Sequence, residues 1–126
     1  MNEKIKIVFA DDNAQSLMLL KMLISMEDDM EVVGSASNGI DAIELAKELQ
    51  PSILFLDVRM PEMTGFQAAE VLGKELPELP VVIMSADVTV ADMIRAKDSG
   101  AKDMLEKPVA RDELLACIRK LANANL

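Results

Sequence analysis

"ILFLDVRMPEMTG", Ile53 to Gly65, sets one carboxylate, Asp57, directly after four bulky apolar residues. With Ser52, the run "SILFL" (52–56) is too short for a helix. It is also apolar without alternation, which is the pattern of a strand covered on both faces, as in a parallel sheet. Such a strand delivers Asp57 to the rim of the core, where an isolated charge is costly unless something pairs with it. A helix cap or an ordinary strand-end residue is the bland reading of an Asp in this position. The rest of the chain bears on whether Asp57 does more.

On either side of this strand, short apolar runs alternate with longer amphipathic ones, and there is no linker, repeat or low-complexity tract. "KIKIVFA" (4–10) is rich in β-branched residues and stops at Asp11-Asp12; Ala14 to Met26 then holds good helix formers and no Gly or Pro. "MEVVGSA" (30–36) is a weaker strand, and after the turn Ser37-Asn38-Gly39 comes a helix with the apolar stripe Ala42, Ile43, Ala46 and Leu49, ended by Pro51. Past the Met60-Pro61 loop, residues 66–76 read as a helix broken by Pro77 and Pro80. Val81 to Met84 forms a strand delivering Ser85, residues 89–98 a helix, "KDMLE" (102–106) a weak strand ending in Lys107-Pro108, and Arg111 to Ala122 a last helix. Five βα units result. They predict an α/β fold: a doubly wound, five-stranded parallel sheet with helices on both faces, built as one domain over residues 1–126.

In such a sheet ligands gather beyond the carboxyl ends of the strands. Asp11-Asp12 ends the first strand, Asp57 the third, Ser85 the fourth and Lys107 the fifth, whereas the second ends in uncharged Ser35-Ala36 and suits an edge. The expected strand order is therefore 2-1-3-4-5. Two of the gathered carboxylates ~5 Å apart repel by roughly 3 kcal/mol at an effective dielectric near 20, so the pocket needs a cation. With no His in the chain and no Cys nearby, oxygen-only ligation points to a hard ion, and an open, hydrated shell suits Mg2+ better than an all-protein calcium cage. Lys107 adds a compact positive charge and Ser85 a rotatable hydroxyl. A carboxylate nucleophile, a metal and fixed donors are the parts for handling a phosphoryl group.

Composition narrows the classes. A formal charge of −9 argues against nucleic acid binding by this chain. The absence of histidine excludes Ser-His-Asp catalysis, His-ligated zinc and a phosphohistidine carrier within it. Although 51% of the residues are hydrophobic, no run approaches the ~20 apolar residues of a bilayer helix and no export signal precedes the first strand, so a cytoplasmic protein is expected. The lone Cys117 reads as packing.

The strand-end motifs "FADDN" (9–13), "LDVRMPEMTG" (56–65), "MSA" (84–86) and "EKPV" (106–109) resemble those of the receiver domains of bacterial two-component response regulators, of the chemotaxis-regulator type. The likeness runs over essentially the whole chain and implies a flavodoxin-like fold and a phosphorelay role. It makes Asp57 the acceptor of a phosphoryl group from a sensor histidine kinase or a histidine phosphotransfer protein, with no turnover as an enzyme. Asp12 and Asp57 would bind Mg2+ directly, Asp11 largely through water, and the Arg59 carbonyl would complete the protein share. Lys107 would pair with Asp57 and then with the phosphoryl group, across a cis bond to Pro108. Ser85 would swing toward the phosphoryl oxygens, and the fourth helix, fifth strand and fifth helix would carry the change to an effector domain, an output partner or a phosphorylation-dependent dimer.

Each residue also has an ordinary reading: Asp11 or Asp12 as a helix cap, Lys107 as a solvated strand end, Ser85 as a turn former. A haloacid-dehalogenase-like phosphatase would place a second Asp two residues after the nucleophile, where this chain has Arg59, and a pseudo-receiver would lack part of the pocket. Arg59 and Asp87 are expected to pair over the pocket and slow hydrolysis. Met18 and Met22 lie away from the buried side of the first helix, Leu17, Leu20 and Ile24, and are candidates for a kinase-docking face. One departure stands out. Many receivers carry Tyr or Phe three residues before the strand-end lysine, whereas Met104 stands here, and a graded rather than two-state switch is expected from it.

Overall fold

A computed structural model describes residues 3–123 of the chain. Five parallel strands, β1 (Ile5–Ala10), β2 (Met30–Ala36), β3 (Ile53–Asp57), β4 (Val81–Ser85) and β5 (Asp103–Glu106), form one sheet in the order β2-β1-β3-β4-β5. Helices α1 (Ala14–Ser25), α2 (Gly39–Leu49), α3 (Gly65–Glu75), α4 (Val90–Asp98) and α5 (Arg111–Asn123) connect and follow them. The expected order and element sequence are thus observed, with boundaries within a residue or so of those read from the sequence.

The two faces of the sheet follow from strand alternation. Ile7 and Phe9 of β1, Ile53 and Phe55 of β3, and Val82 and Met84 of β4 turn toward α1 and α5, where Leu20, Ile24, Leu114, Leu115 and Ile118 meet them. Val8, Ala10, Leu54, Leu56, Val81 and Ile83 turn the other way, against α2, α3 and α4. All five residues of β3 are buried, which explains its unbroken apolar run. The rings of Phe9 and Phe55 lie 5.1 Å apart, tilted by 33°. Cys117 is packing material: it is buried, and burial together with the Asp103 carboxylate pushes its thiol up to about 12.

Helix starts are set locally. Asn13, not Asp11 or Asp12, caps α1 by accepting from the Ser16 amide, Asn38 caps α2, Thr64 opens α3 in a capping box with Gln67, and Thr89 caps α4. The acidic pair is therefore released from capping duty.

Candidate functional site at the strand ends

The register of the sheet brings the polar residues together as a staircase. Ala10 is level with Leu56, so Asp11 follows beside Asp57; Asp57 is level with Met84, so Ser85 stands one step beyond; Ser85 is level with Glu106, so Lys107 is one step further. The long lysine chain reaches back down this staircase. Its Nζ donates to Asp11 Oδ2 at 2.6 Å and lies 3.5 Å from Asp57 Oδ2. The expected pairing with Asp57 is present at the longer distance, and Asp11, which the sequence did not single out as a partner of Lys107, is the nearer one. The cause is burial. Asp11 has no exposed surface, and its Oδ1 accepts from the Asn13 amide at 2.9 Å, whereas Asp57 sits nearer the mouth at 7% exposure.

Asp11, Asp12 and Asp57 each offer a carboxylate oxygen, all within 4.8 Å of one another. An all-oxygen set with one wholly buried carboxylate, one nearly buried and one exposed can hold a hard divalent ion while leaving room for water. Burial pushes the Asp57 carboxyl up to about 6; Lys107 pulls it down, and the charges of Asp11 and Asp12 push it further up. Burial alone would lower Lys107, but its hydrogen bond to Asp11 and the charge of Asp57 outweigh that and hold it above its ordinary value. The Lys107–Pro108 bond is cis, as expected.

Ser85 is buried at the end of β4, and its hydroxyl donates to the Asp87 carbonyl at 2.9 Å rather than toward the carboxylates. Its own carbonyl accepts from the Lys107 amide at 2.8 Å, which joins the two loops. Arg59 and Asp87 are both exposed, and among the ion pairs of the described residues theirs is absent. The expected lid is not formed, because two exposed side chains on separate loops gain too little from pairing to be held. Glu106 alternates outward, away from Lys107. Met104 is half-buried and packs on the α2–α3–α4 side of the sheet.

Gly65 is a residue whose bearing on the site the sequence reading missed. Its amide donates to the Val58 carbonyl at 2.9 Å, and a Cβ there would stand 2.4 Å from the Asp57 carbonyl oxygen. The signal was present in the spacing, since a glycine at a helix start just past a strand-end carboxylate marks a close backbone approach. Gly65→Ala is expected to destabilise the protein by about 2 kcal/mol, as overpacking does, read as a lower denaturant midpoint.

Residues 7–119 match the response regulator receiver domain family. The chain is 34% identical over 119 residues to the response regulator protein VraR of Staphylococcus saprophyticus, covering 94% of this chain and 57% of that protein. It is 36% identical to a protein-glutamate methylesterase/protein-glutamine glutaminase of Pyrococcus horikoshii, covering 97% of this chain and 36% of the relative. The chain thus spans about half, or less, of the length of these curated relatives. Among solved structures, the response regulator domain of Thermotoga maritima CheB superposes with a TM-score of 0.88 at 33% identity, covering 96% of this chain and 98% of that one. The signal receiver domain of the putative response regulator NarL from Mycobacterium tuberculosis superposes with 0.90 at 33% identity, with the same coverage. With a family match across nearly all of the chain and strand ends arranged as the motifs require, the chain belongs to the receiver domains of two-component response regulators.

Proposed function

We propose that Asp57 accepts a phosphoryl group from a phosphohistidine carried by a sensor histidine kinase or a histidine phosphotransfer protein in the cytoplasm. The observation that supports this reading most is the convergence of three carboxylates within 4.8 Å of one another, two of which, Asp11 and Asp57, pair with the ammonium of Lys107. In the transfer, an Asp57 carboxylate oxygen attacks phosphorus and the P–N bond of the donor breaks. Its electron pair stays on the imidazole nitrogen, and an acyl phosphate remains on Asp57. Each chain accepts one group, so the process is stoichiometric rather than turnover of a substrate.

Asp12 and Asp57 would hold Mg2+ directly, with Asp11 acting through water and the Arg59 carbonyl completing the protein ligands. Magnesium, when bound, offsets the carboxylate charges and draws electron density from the phosphoryl oxygens. Lys107 exchanges its weaker partner, Asp57, for the phosphoryl group while keeping Asp11 in reach. Ser85 releases the Asp87 carbonyl and donates to a phosphoryl oxygen, which pulls on the turn that ends at Thr89, the cap of α4. The face of α4, β5 and α5 carries this change to an effector domain, an output partner or a second copy. Met104 in place of an aromatic ring softens the change.

Docking of the donor falls to α1. Met18, Leu19, Met22 and Met26 are each at least half exposed, and the helix starts beside the acidic pocket. Adaptable methionine side chains suit an apolar helix surface on a partner.

Incubation with acetyl phosphate and Mg2+ is expected to add one phosphoryl group, read by intact mass. Asp57→Asn and chelation of Mg2+ should each abolish the addition. Equal labelling of Asp57→Asn would overturn the assignment.

A further inference from the structure

Two sets of ion pairs strap α1 to the β5–α5 segment, one at each end of α1. At its start, Lys107 holds Asp11. Just past its end, Glu27 gives each carboxylate oxygen to a different arginine of α5. Arg111 Nη2 lies 2.6 Å from Oε2 and Arg119 Nη2 lies 2.9 Å from Oε1. Arg119 also grips Asp29, through Nη2 at 3.2 Å and Nε at 3.4 Å. The Glu27 side chain is 15% exposed, well shielded for a surface carboxylate. Since Arg111 opens α5 and Arg119 lies about two turns further on, one carboxylate holds the helix at two levels. Leu114, Leu115 and Ile118 are buried beneath it.

Helix α4 is held differently. Of its nine residues only Ala96 is buried, while Val90, Met93 and Ile94 are exposed. Among the described residues no ion pair joins α4 to another element; the Arg95 guanidinium instead lies over the Phe66 ring, 4.6 Å from its centre. The two loops that meet the phosphoryl group therefore end in elements of unequal firmness. Residues 85–89 lead to a loosely seated helix, and residues 107–111 lead to a braced one.

We infer that Glu27 is a positioning residue for the switch: it fixes α5 to α1, so that the rearrangement after Asp57 is occupied runs into α4 and stops at α5. This rests on the phosphoryl-acceptor reading above and names the moving part of the output face. A pull on Lys107 meets an anchored arginine four residues later, at the first residue of α5. A pull on Ser85 meets the Thr89 cap, one buried alanine and the contact of Arg95 with the Phe66 ring, with no ion pair among the described residues.

Amide hydrogen exchange of the whole chain, with Mg2+ alone and with Mg2+ and beryllofluoride, tests this. In the wild type, residues 86–98 should change and residues 111–122 should not. In Glu27→Ala, residues 111–119 should exchange about fivefold faster, the factor set by losing an ion-pair network of this exposure, and should now respond to beryllofluoride. Arg111→Gln, which leaves the Arg119 contacts in place, should give the same response more weakly. A wild-type α5 that responds as strongly as α4 would overturn the inference, as would both variants leaving α5 unresponsive. A wild type with no response at residues 86–98 would instead overturn the acceptor reading, and the inference with it.

Discussion

With divalent ions chelated, Asp57→Asn should stabilise the fold against denaturant by up to about 3 kcal/mol above pH 6, and by much less near pH 4. Burial raises this carboxyl from 3.8 to about 6 in the folded chain. Between those values the folded state binds a proton that the unfolded state has released, so stability falls as pH rises through the window. Above pH 6 the full cost of an ionised, crowded carboxylate is present; below about 4 it is absent. Asparagine keeps the shape without the charge. Measuring variant and wild type at each pH cancels the carboxylates remote from the pocket, so the difference carries Asp57 together with its coupling to its neighbours. A difference that stays flat between pH 4 and 7 would show that Asp57 is not strained by its surroundings.

Lys107→Met should act in the opposite direction. It removes the cation that, among the described residues, pairs with Asp11, which has no exposed surface, and so leaves a buried charge unpaired. Breaking a buried pair in this way costs about 3 kcal/mol or more. Added Mg2+ should recover part of the loss, since the metal replaces the missing positive charge among the three carboxylates. Denaturant midpoints with chelator and with Mg2+ check both statements. A loss that magnesium does not reduce would count against a metal site at the strand ends.

These opposed effects describe a pocket organised for charge rather than for stability. Three carboxylates are gathered at one sheet end, and among the described residues the cation paired with two of them is Lys107. Lys107 lies nearer to Asp11 than to Asp57, and burial raises the Asp57 carboxyl above its ordinary value despite the lysine. That suits the proposed acceptor role, because a bound divalent ion would offset the crowded charge and leave an Asp57 oxygen free to react.

Much of this architecture was legible in the chain itself. The unbroken apolar run before Asp57 marked a strand covered on both faces, and the uncharged end of β2 marked the edge. Even the short β5 was legible, although Leu105 is its only buried residue, because Lys107-Pro108 bounds it. What escaped depends on depth and on distance in the chain. The choice of Lys107 between Asp11 and Asp57 turns on how far each lies below the surface, which spacing does not report. The Ser85 hydroxyl turns to the nearby Asp87 carbonyl, a local bond that competes with any reach toward the pocket. Glu27 and its arginines are separated by 84 and 92 residues, so their meeting follows only once α1 and α5 are known to share a face.

The most direct test of the central claim is to locate the phosphoryl group. After labelling with acetyl phosphate and Mg2+, borohydride reduces the acyl phosphate to an alcohol and releases phosphate, converting the acceptor aspartate to homoserine, which peptide mass mapping then places. Reduction at Asp57 alone, with Asp11 and Asp12 unchanged, is the predicted result; reduction at any other carboxylate, or a label on Ser85 that survives borohydride, would contradict it.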